Sequence, residues 1–376
     1  MKIVHVIVGL NVGGAELMLR RLVEAHTRLG LHEHVVISLT DGGSLGHEFT
    51  KMGVAVETLN MKGLNDTPLV LYRLAKLLRR IKPDLVQTWM YHADLLGGLS
   101  AKMAGVKHVI WGVRTTDLSQ GGNKATLLIR KLCSILSYFV PDQIVCAAHA
   151  SMRAHAAVGY CAKRMMVIPN GFDVSLLKWS DQVRTAMRER LMIKEGDLIV
   201  GSVGRYSPVK DHRTFVQAAA LIAKRFTRAK FLMVGRGLDS NNIDLVDMIE
   251  KTGFKERFVL VGQQGDVVPY LNAMDLFCLH SRTEGFPNVL GEAMAVGLPC
   301  VSTDVGDAAM LLKNDEFIVE KNDPQALAAA VERFLSMNED RRHQIGRAGS
   351  ERIRANFSME STAEAFSQLY ANRCLN

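Results

Sequence analysis

The sequence predicts an α/β protein built from two Rossmann-like domains. This prediction rests on two observations, the chain length and the alternation of strand-like with helix-like segments. A chain of 376 residues is too long for one ordinary compact domain and fits two of roughly 150 to 200 residues. Short apolar runs that suit buried strands alternate with amphipathic helical segments, as in KIVHVIV followed by AELMLRRLVEAHTRLG. Such alternation predicts parallel sheets that are covered by helices on both faces.

The alternation is interrupted by one charged stretch, DVSLLKWSDQVRTAMRERLMIKEGD, and resumes at LIVGSVGR. We place the domain boundary in this stretch, which gives an N-terminal domain over residues 1–180 and a C-terminal domain over residues 181–358. Ligands of open parallel sheets bind beyond the carboxyl ends of the strands. An active site in a cleft between the two halves is therefore expected.

Positive charge is concentrated in the first half of the chain. Residues 1–180 contain 21 Lys and Arg against 12 Asp and Glu, whereas the remaining residues contain 25 against 26. This excess favours an anionic partner, such as a phospholipid surface or a pyrophosphate-linked acceptor. Nucleic acid is disfavoured because no zinc-finger, RNP-type or basic-zipper signature accompanies the charge. A solvated basic surface without a partner is the remaining interpretation.

The sequence gives no sign of a membrane span or of export. It has no run of about 18 apolar residues free of charge, and MKIVHVIVGLNVGGAE suits a first strand and a loop rather than a secretory signal. We expect a cytoplasmic protein, with any contact to the inner face of the membrane being peripheral. Two helical stretches that combine leucines with basic residues would make that contact, although packing onto their own sheet explains them equally well. Their basic residues are Arg73, Lys76, Arg79, Arg80, Arg130 and Lys131.

The segment SRTEGFPNVLGEAMAVGLPCVSTDVGD carries the clearest chemistry. Gly285 and Pro287 let the backbone approach a ligand closely before a helix that begins near Asn288, and the first N–H groups of that helix suit a pyrophosphate. Glu292, one turn into the helix, is placed to accept hydrogen bonds from ribose hydroxyls. Glu284, in the preceding loop, is placed to contact a sugar. A surface loop followed by an ordinary helix is the competing explanation.

This segment resembles the E-x7-E signature of the retaining GT-B glycosyltransferases of family 4, also called group 1. GLNVGGAE, IPNGFD and GRYSPVKD resemble further motifs of that family and occur in the expected order. The resemblance implies the GT-B fold, with two facing Rossmann-like domains, an interdomain cleft and a C-terminal helix over residues 359–376 that returns to the N-terminal domain. It also implies that the N-terminal domain takes a glycan or lipid-linked acceptor and the C-terminal domain a nucleotide-sugar donor. The product would belong to a bacterial surface polysaccharide or lipopolysaccharide.

The resemblance assigns the residues of the donor site. Arg205 and Lys210 stand where the family has two basic residues that hold the donor pyrophosphate, and with Glu284 they form the predicted catalytic set. Gly14 belongs to the glycine-rich loop between the first strand and the first helix. The predicted donor site comprises Gly14, Arg205, Lys210, Glu284, Gly285, Phe286, Pro287, Asn288, Val289 and Glu292.

Five further residues are candidates to contact the acceptor or the transferred sugar. Gly13 lies in the glycine-rich loop, and Asn170 lies in IPNGFD, a segment that lines the interdomain region in this family. Many relatives have a histidine at the tip of the strand HVIWGVR, where this chain has Arg114, so Arg114 is a candidate to bind sugar or phosphate. His92 follows another strand, although a histidine at a strand end is more often structural. His280 stands just before the signature, where relatives often have proline.

The sequence predicts no metal ion and no cofactor. It contains no D-x-D triplet, the usual carboxylate clamp for a metal-bound pyrophosphate, and Arg205 and Lys210 supply positive charge instead. Two other functions stay open, a nucleotide-sugar epimerase of the same architecture and a non-catalytic sugar-nucleotide-binding protein. A nicotinamide-dependent dehydrogenase is disfavoured because the dinucleotide fingerprint is missing.

Overall fold

The computed structural model describes residues 1–116 and 124–374, in which two compact units occur. Unit 1 comprises Met1–Gly171 together with the chain from Met359 onward, and unit 2 comprises Phe172–Ser358. The division between Gly171 and Phe172 lies upstream of the predicted boundary at residue 180. None of the described helices is long and apolar enough to cross a membrane.

Strands and helices alternate through both units, as the sequence predicts. The strands are β1 (Lys2–Ile7), β2 (Glu33–Ser38), β3 (Ala55–Thr58), β4 (Leu85–Trp89), β5 (His108–Val113), β6 (Gln143–Cys146), β7 (Met165–Val167), β8 (Leu198–Val203), β9 (Ala229–Val234), β10 (Phe258–Gly262), β11 (Leu276–Leu279), β12 (Cys300–Thr303) and β13 (Ile318–Val319). The helices are α1 (Gly14–Arg28), α2 (Gly46–Lys51), α3 (Thr67–Ile81), α4 (Tyr91–Ala104), α5 (Lys124–Leu136), α6 (His149–Ala157), α7 (Asp181–Arg190), α8 (His212–Arg225), α9 (Ile243–Glu250), α10 (Val268–Ala273), α11 (Asn288–Val296), α12 (Ala308–Leu312), α13 (Pro324–Leu335), α14 (Glu339–Asn356) and α15 (Met359–Cys374).

Unit 1 is built on a parallel sheet with the strand order β3-β2-β1-β4-β5-β6-β7. Alternate residues of β1 point to opposite faces, so that Val4 and Val6 pack with α3, α4 and α5 while Ile3 and Ile7 pack with α1, α2 and α15. The strands are buried on both faces, which explains why they are apolar runs rather than alternating ones.

Unit 2 repeats this design with a parallel sheet in the order β10-β9-β8-β11-β12-β13. In both sheets the chain starts in the middle, grows outward on one side and then continues on the other side. The reversal falls between β1 and β4 in unit 1 and between β8 and β11 in unit 2. Such a switch point is where open α/β sheets bind their ligands.

The charged stretch that suggested a linker packs within unit 2. Ser180 donates its backbone N–H to Asn272 Oδ1 at 2.7 Å, and Arg184 donates to Asp275 Oδ1 at 2.5 Å. Arg188 lies 3.4 Å from the other carboxylate oxygen of Asp275. The polar composition of α7 therefore reflects a hydrogen-bonded contact with the start of β11 rather than an exposed linker.

Helix α15 is joined to the rest of unit 1 by a continuous chain of buried hydrogen bonds. His26 Nε2 donates to the carbonyl of Ala363 at 2.9 Å, which leaves His26 Nδ1 to accept from His34 Nε2 at 3.3 Å. His34 Nδ1 then accepts from His5 Nε2 at 3.0 Å, and His5 Nδ1 accepts from Trp89 Nε1 at 3.3 Å. This assignment gives each ring one donor and one acceptor. The chain requires all three imidazoles to be neutral.

We predict that unit 1 loses stability as the pH falls. Burial and the neighbouring His26 and His32 lower the pKa of His34 to about 3, whereas the unfolded chain titrates near 6.5. Below about pH 6.5 the unfolded state binds more protons than the folded state. The free energy of unfolding should therefore decrease by about 2 kcal/mol for His34 alone between about pH 6.5 and 5. Urea unfolding at several pH values measures this slope.

A control separates the buried histidines from the general effect of acid. His34→Gln should flatten the pH dependence, whereas His343→Gln should not, because the His343 side chain is 61% exposed. Equal slopes for wild type and His34→Gln would contradict the assignment.

Candidate functional site

The predicted donor residues lie at the switch point of unit 2. The turn over residues 204–211 follows β8, the loop over residues 280–287 follows β11, and these two strands are neighbours in the sheet. Arg282 donates its backbone N–H to Val209 O at 2.8 Å, which ties the loop to the turn. Its guanidinium donates to Asp211 Oδ1 at 2.9 Å. Two segments that are distant in sequence therefore form one surface.

Lys210 and Glu284, two of the predicted catalytic residues, form an ion pair on this surface. Lys210 Nζ lies 2.6 Å from Glu284 Oε1, and the two side chains are only 20% and 13% exposed. Ser281 Oγ donates to the same oxygen at 2.6 Å. Partial burial strengthens the pair and fixes the position of both charged groups.

His280 connects the backbone of Lys210 to β8. Its Nδ1 bonds the carbonyl of Lys210 at 2.6 Å, and its Nε2 bonds Ser202 Oγ at 2.6 Å. The ring is buried and stacks on Phe215, and burial lowers its pKa to about 4. With both nitrogens engaged inside the protein, the geometry favours a positioning role for His280 over the predicted contact with the sugar.

The helix start predicted near Asn288 is where α11 begins, and within the described chain no side chain caps it. Val289 belongs to its first turn, in which Leu290 and Gly291 donate their N–H groups to the carbonyl of Pro287 at 3.1 and 3.3 Å. The backbone of Gly285 is also fixed, because its carbonyl oxygen accepts a hydrogen bond from the backbone N–H of Asp307 at 3.0 Å. The uncapped helix start therefore faces a backbone segment with a fixed position, as an anion site requires.

Three further donor candidates, Phe286, Arg205 and Glu292, differ in exposure. The Phe286 side chain is buried and stacks on Phe172 at 5.9 Å, so only its backbone is placed to meet a ligand. Arg205 is exposed and makes no ion pair with any residue that the structure describes. Glu292 lies one turn into α11 and is half-buried.

In unit 1, the glycine-rich loop is occupied by a carboxylate of the chain itself. Gly13 precedes α1, Gly14 begins it, and a Cβ atom at Gly13 would lie 2.4 Å from Glu16 Oε2. Burial raises the pKa of Glu16. The geometry favours an interaction of Glu16 with the start of its own helix over the predicted binding at Gly13 and Gly14.

Arg114 has an unusual environment directly after β5. It donates to Asn170 Oδ1 at 3.0 Å, and its guanidinium lies 4.6 Å above the ring of Trp89. Nε and Nη2 are buried without a hydrogen-bond partner among the described residues. Burial raises the pKa of the nearby Asp94 to about 8, against the opposing effect of the Arg114 charge. Arg114 is thus a partly buried cation with no hydrogen-bonded carboxylate among the described residues, which is costly unless a ligand compensates it.

The residues beside Arg114 include a polar network that the sequence analysis missed. Tyr91 Oη lies 2.7 Å from both Thr115 Oγ1 and His155 Nε2. Met90, which precedes Tyr91, has a φ of 75° and therefore a strained backbone at the end of β4. His92, the predicted neighbour, is half-buried at the start of α4, and burial lowers its pKa.

The sequence predicts that no metal ion is needed, and the positions of the described residues do not test this prediction. Among residues 1–116 and 124–374 no group of three or more His, Cys, Asp or Glu side chains is placed to hold a metal ion. Metal-independence therefore stays a prediction.

Comparison with known families and structures identifies the class of protein that this fold and site define. The profile of "Glycosyl transferases group 1" matches residues 183–352, and that of "Glycosyltransferase Family 4" matches residues 12–176. The structure superimposes on an Anabaena protein, HepE, crystallised with UDP, with a TM-score of 0.87 and 20% identity over 99% of this chain and 100% of that one. The protein is a glycosyltransferase of the GT-B fold. It belongs to the group 1 glycosyltransferases of family 4.

Two relatives show the range of sequence similarity. The UDP-Gal:alpha-D-GlcNAc-diphosphoundecaprenol alpha-1,3-galactosyltransferase of Escherichia coli is 28% identical over 270 residues, covering 70% of this chain and 69% of the relative. The lipopolysaccharide core biosynthesis glycosyltransferase LpsE of Rhizobium meliloti is 26% identical over 99% of this chain and 100% of its own. The resemblance stated from the motifs is therefore confirmed at the level of the family.

We predict that Gly306→Ala displaces the loop that carries Glu284. Gly306 has a φ of +60°, and an added Cβ would lie 2.3 Å from the carbonyl oxygen of Gly285. Calorimetric titration with a nucleoside diphosphate that binds wild type should show an affinity reduced about tenfold or more, because the helix start and Glu284 would no longer be aligned. Gly253→Ala is the control, since it has a similar φ of +76° but nothing within 4 Å. Equal affinities for the two variants would argue against this role of Gly306.

Proposed function

We propose that the protein transfers a hexose from a UDP-sugar to a lipid-linked acceptor, with retention of configuration and without a metal ion. The ion pair between Lys210 and Glu284 at the uncapped start of α11 carries this proposal. Support for UDP comes from the E. coli relative, whose name specifies UDP-Gal, and from the Anabaena structure with UDP-glucose. The same relative's lipid-diphosphate substrate and the names that refer to lipopolysaccharide or capsule support a role in surface polysaccharide synthesis.

Each residue of the donor surface has a distinct task in this proposal. Lys210 and Arg205 donate to the pyrophosphate, whose remaining oxygens accept from the first N–H groups of α11. Glu292 accepts from the ribose hydroxyls, and Glu284 accepts from a hydroxyl of the sugar. When the bond between sugar and phosphate breaks, negative charge grows on the departing nucleotide, and the same cations stabilise it. No divalent metal ion is needed for that stabilisation.

Retention is proposed to follow from attack on the face that the nucleotide leaves. The acceptor oxygen approaches the anomeric carbon as the nucleotide departs, and the sugar passes through an oxocarbenium-like state. A departing phosphate oxygen takes the proton of the acceptor hydroxyl in this scheme. In this scheme no side chain forms a covalent bond to the sugar.

The experiment that tests the function is nucleotide release from UDP-, GDP-, dTDP- and ADP-sugars in the presence of EDTA. We expect release from a UDP-hexose that increases when a lipid-pyrophosphate-linked acceptor is added. Conversion of the donor without acceptor would show an epimerase, and binding without turnover would show a binding protein. Activity that requires added Mg²⁺ or Mn²⁺ would contradict metal-independence.

A matched pair of lysine variants tests the mechanism in the same assay. Lys210→Ala should lower kcat/KM by about 100-fold or more, because it removes a cation that stabilises the leaving nucleotide. Lys230→Ala is the control: its ion pair with Asp197 has similar burial, 19% and 9% exposed, but lies at the amino ends of the strands. It should change kcat/KM by no more than about twofold. Equal losses would mean that the effect of Lys210 is structural.

We propose in addition that Arg114 binds an anionic group of the acceptor, its phosphate being the natural candidate. Arg114→Met should raise KM for the acceptor about tenfold or more with little change in kcat. Because the variant removes a partly buried charge that has no hydrogen-bonded carboxylate among the described residues, the free energy of unfolding should stay the same or increase.

The control for Arg114 is Arg184→Met, which breaks the partly buried pair with Asp275. This variant should lose stability and keep the KM for the acceptor. Destabilisation by Arg114→Met with an unchanged KM would show that Arg114 has only a structural role.

A further inference from the structure

Unit 2 contains a cavity of about 740 Å³ at the edge of its sheet opposite to the donor surface. Asp275 and Pro299, which line the cavity, directly precede β11 and β12, whereas the donor loop follows the carboxyl end of β11. The other walls come from the segment over residues 178–184 and from helix α14. A cavity of this volume suits a small organic ligand. We call it the α14 cavity.

One side of α14 lines the cavity with cationic groups. Residues 343, 347, 350 and 354 recur at intervals of four, three and four, which places them in one row along the helix. Arg347 and Arg354 in this row are exposed, and neither forms an ion pair with any residue that the structure describes. They stand seven residues apart, about 10 Å along the helix axis, so their long side chains can meet on one chain of phosphates.

These two arginines are not needed to cap a neighbouring helix. Helix α11 ends beside the cavity, but its last carbonyl groups already accept hydrogen bonds, among them that of Ala295 from Ser350 Oγ at 2.9 Å. Arg352, which is outside the row, does cap a helix, because it donates to the carbonyl of Leu311 at the end of α12 at 2.9 Å. The described contact of the Arg354 guanidinium is only with Ser350 Oγ, at 3.3 Å. The row is therefore available to an anion.

The wall opposite α14 carries an exposed aromatic ring. Trp89 and Trp111 are fully buried, whereas Trp179 is 40% exposed and lines the cavity. The indole of Trp179 has a fixed position, because its Nε1 donates to Asp181 Oδ1 at 2.9 Å and the Arg184 guanidinium lies 5.1 Å above its ring. An exposed indole that is held in place is a platform on which a planar base can stack.

Positive charge exceeds negative charge around the cavity. Its lining contains five Lys and Arg side chains and three carboxylates. Asp275 is paired with Arg184 at 2.5 Å, and Asp181 accepts from the indole described above. Glu339, at the start of α14, lies 3.9 Å from the imidazole of His343. The carboxylates thus have partners, while the arginine row has surplus charge.

We infer that the α14 cavity is a second nucleotide site, separate from the donor surface. Arg347 and Arg354 bind the phosphates of a nucleoside di- or triphosphate, and the base stacks on Trp179. A bound nucleotide would bridge α14 and the segment over residues 178–184. None of these residues belongs to the donor surface, so the inference does not rest on the proposed function.

Tryptophan fluorescence of the full chain, titrated with ATP, tests the inference. We expect a saturable change in wild type. Trp179→Phe should abolish this change, because Trp89 and Trp111 are buried. Inorganic pyrophosphate should bind about tenfold more weakly than ATP, since it has no base to stack on the indole.

A matched pair of double variants tests the role of the arginine row. Arg347→Gln with Arg354→Gln should weaken ATP binding about tenfold or more, because both phosphate contacts are lost. Arg190→Gln with Lys224→Gln is the control, since it removes the same charge from exposed positions of unit 2 outside the cavity and should leave ATP binding unchanged. Circular dichroism checks that both double variants are folded.

Several outcomes would overturn the inference. These are wild type without a saturable change, equal affinities for ATP and pyrophosphate, or equal effects of the two double variants. Lys210→Ala should keep the fluorescence change, and its loss in that variant would assign the signal to the donor surface instead. Nucleotide release from the sugar panel reports on the proposed function separately. Normal release by a wild type that shows no fluorescence change would count against the α14 cavity alone.

Discussion

The reversal of strand order beside the first strand of each sheet determines where polar side chains gather in this protein. On either side of that point the connecting helices leave in opposite directions, so the carboxyl ends of β8 and β11 are not covered by a crossover helix. The loops that follow these strands satisfy each other through hydrogen bonds, among them those of Arg282 to Val209 and Asp211. Lys210 and Glu284 can therefore form a fixed pair although they are far apart in sequence. The sheet supplies this proximity, and the side chains supply the charge.

The two units treat charge at their strand ends in different ways. In unit 2 the positive charge of Lys210 is balanced by Glu284. A phosphate would have to attract Lys210 away from the carboxylate, and the released Glu284 could then accept from a sugar hydroxyl. In unit 1 the described contacts of Arg114 are the amide of Asn170 and the rings of Trp89 and Phe366. Balanced charge suits a ligand that brings both an anion and hydroxyls, whereas the unbalanced charge of Arg114 suits an anion alone.

The sequence predicted what depends on local pattern and missed what depends on distant contacts. The alternation of strands and helices, the start of α11 at Asn288 and the family motif were all visible as short-range patterns. The partners of His280 were not, because Ser202 and the carbonyl of Lys210 come from segments more than 60 residues away. The contact of α7 was not visible either, because α7 is polar and composition does not distinguish a linker from a helix that is hydrogen-bonded to Asp275. An aspartate three residues before TFVQ was the available signal for the cap that Asp211 forms on α8.

The spacing of the two glutamates in the signature is set by packing as much as by chemistry. Phe286, between them, is buried against Phe172 and Phe357. At Gly291 a Cβ atom would lie 2.1 Å from Cζ of the same Phe172 ring, so any side chain there would push α11 away from the aromatic cluster. These contacts fix how far the loop travels before α11 begins and how α11 is rotated about its axis. The residues between Glu284 and Glu292 therefore position the two carboxylates. In this chain the motif depends on the aromatic Phe286 and the small Gly291 as well as on its two glutamates.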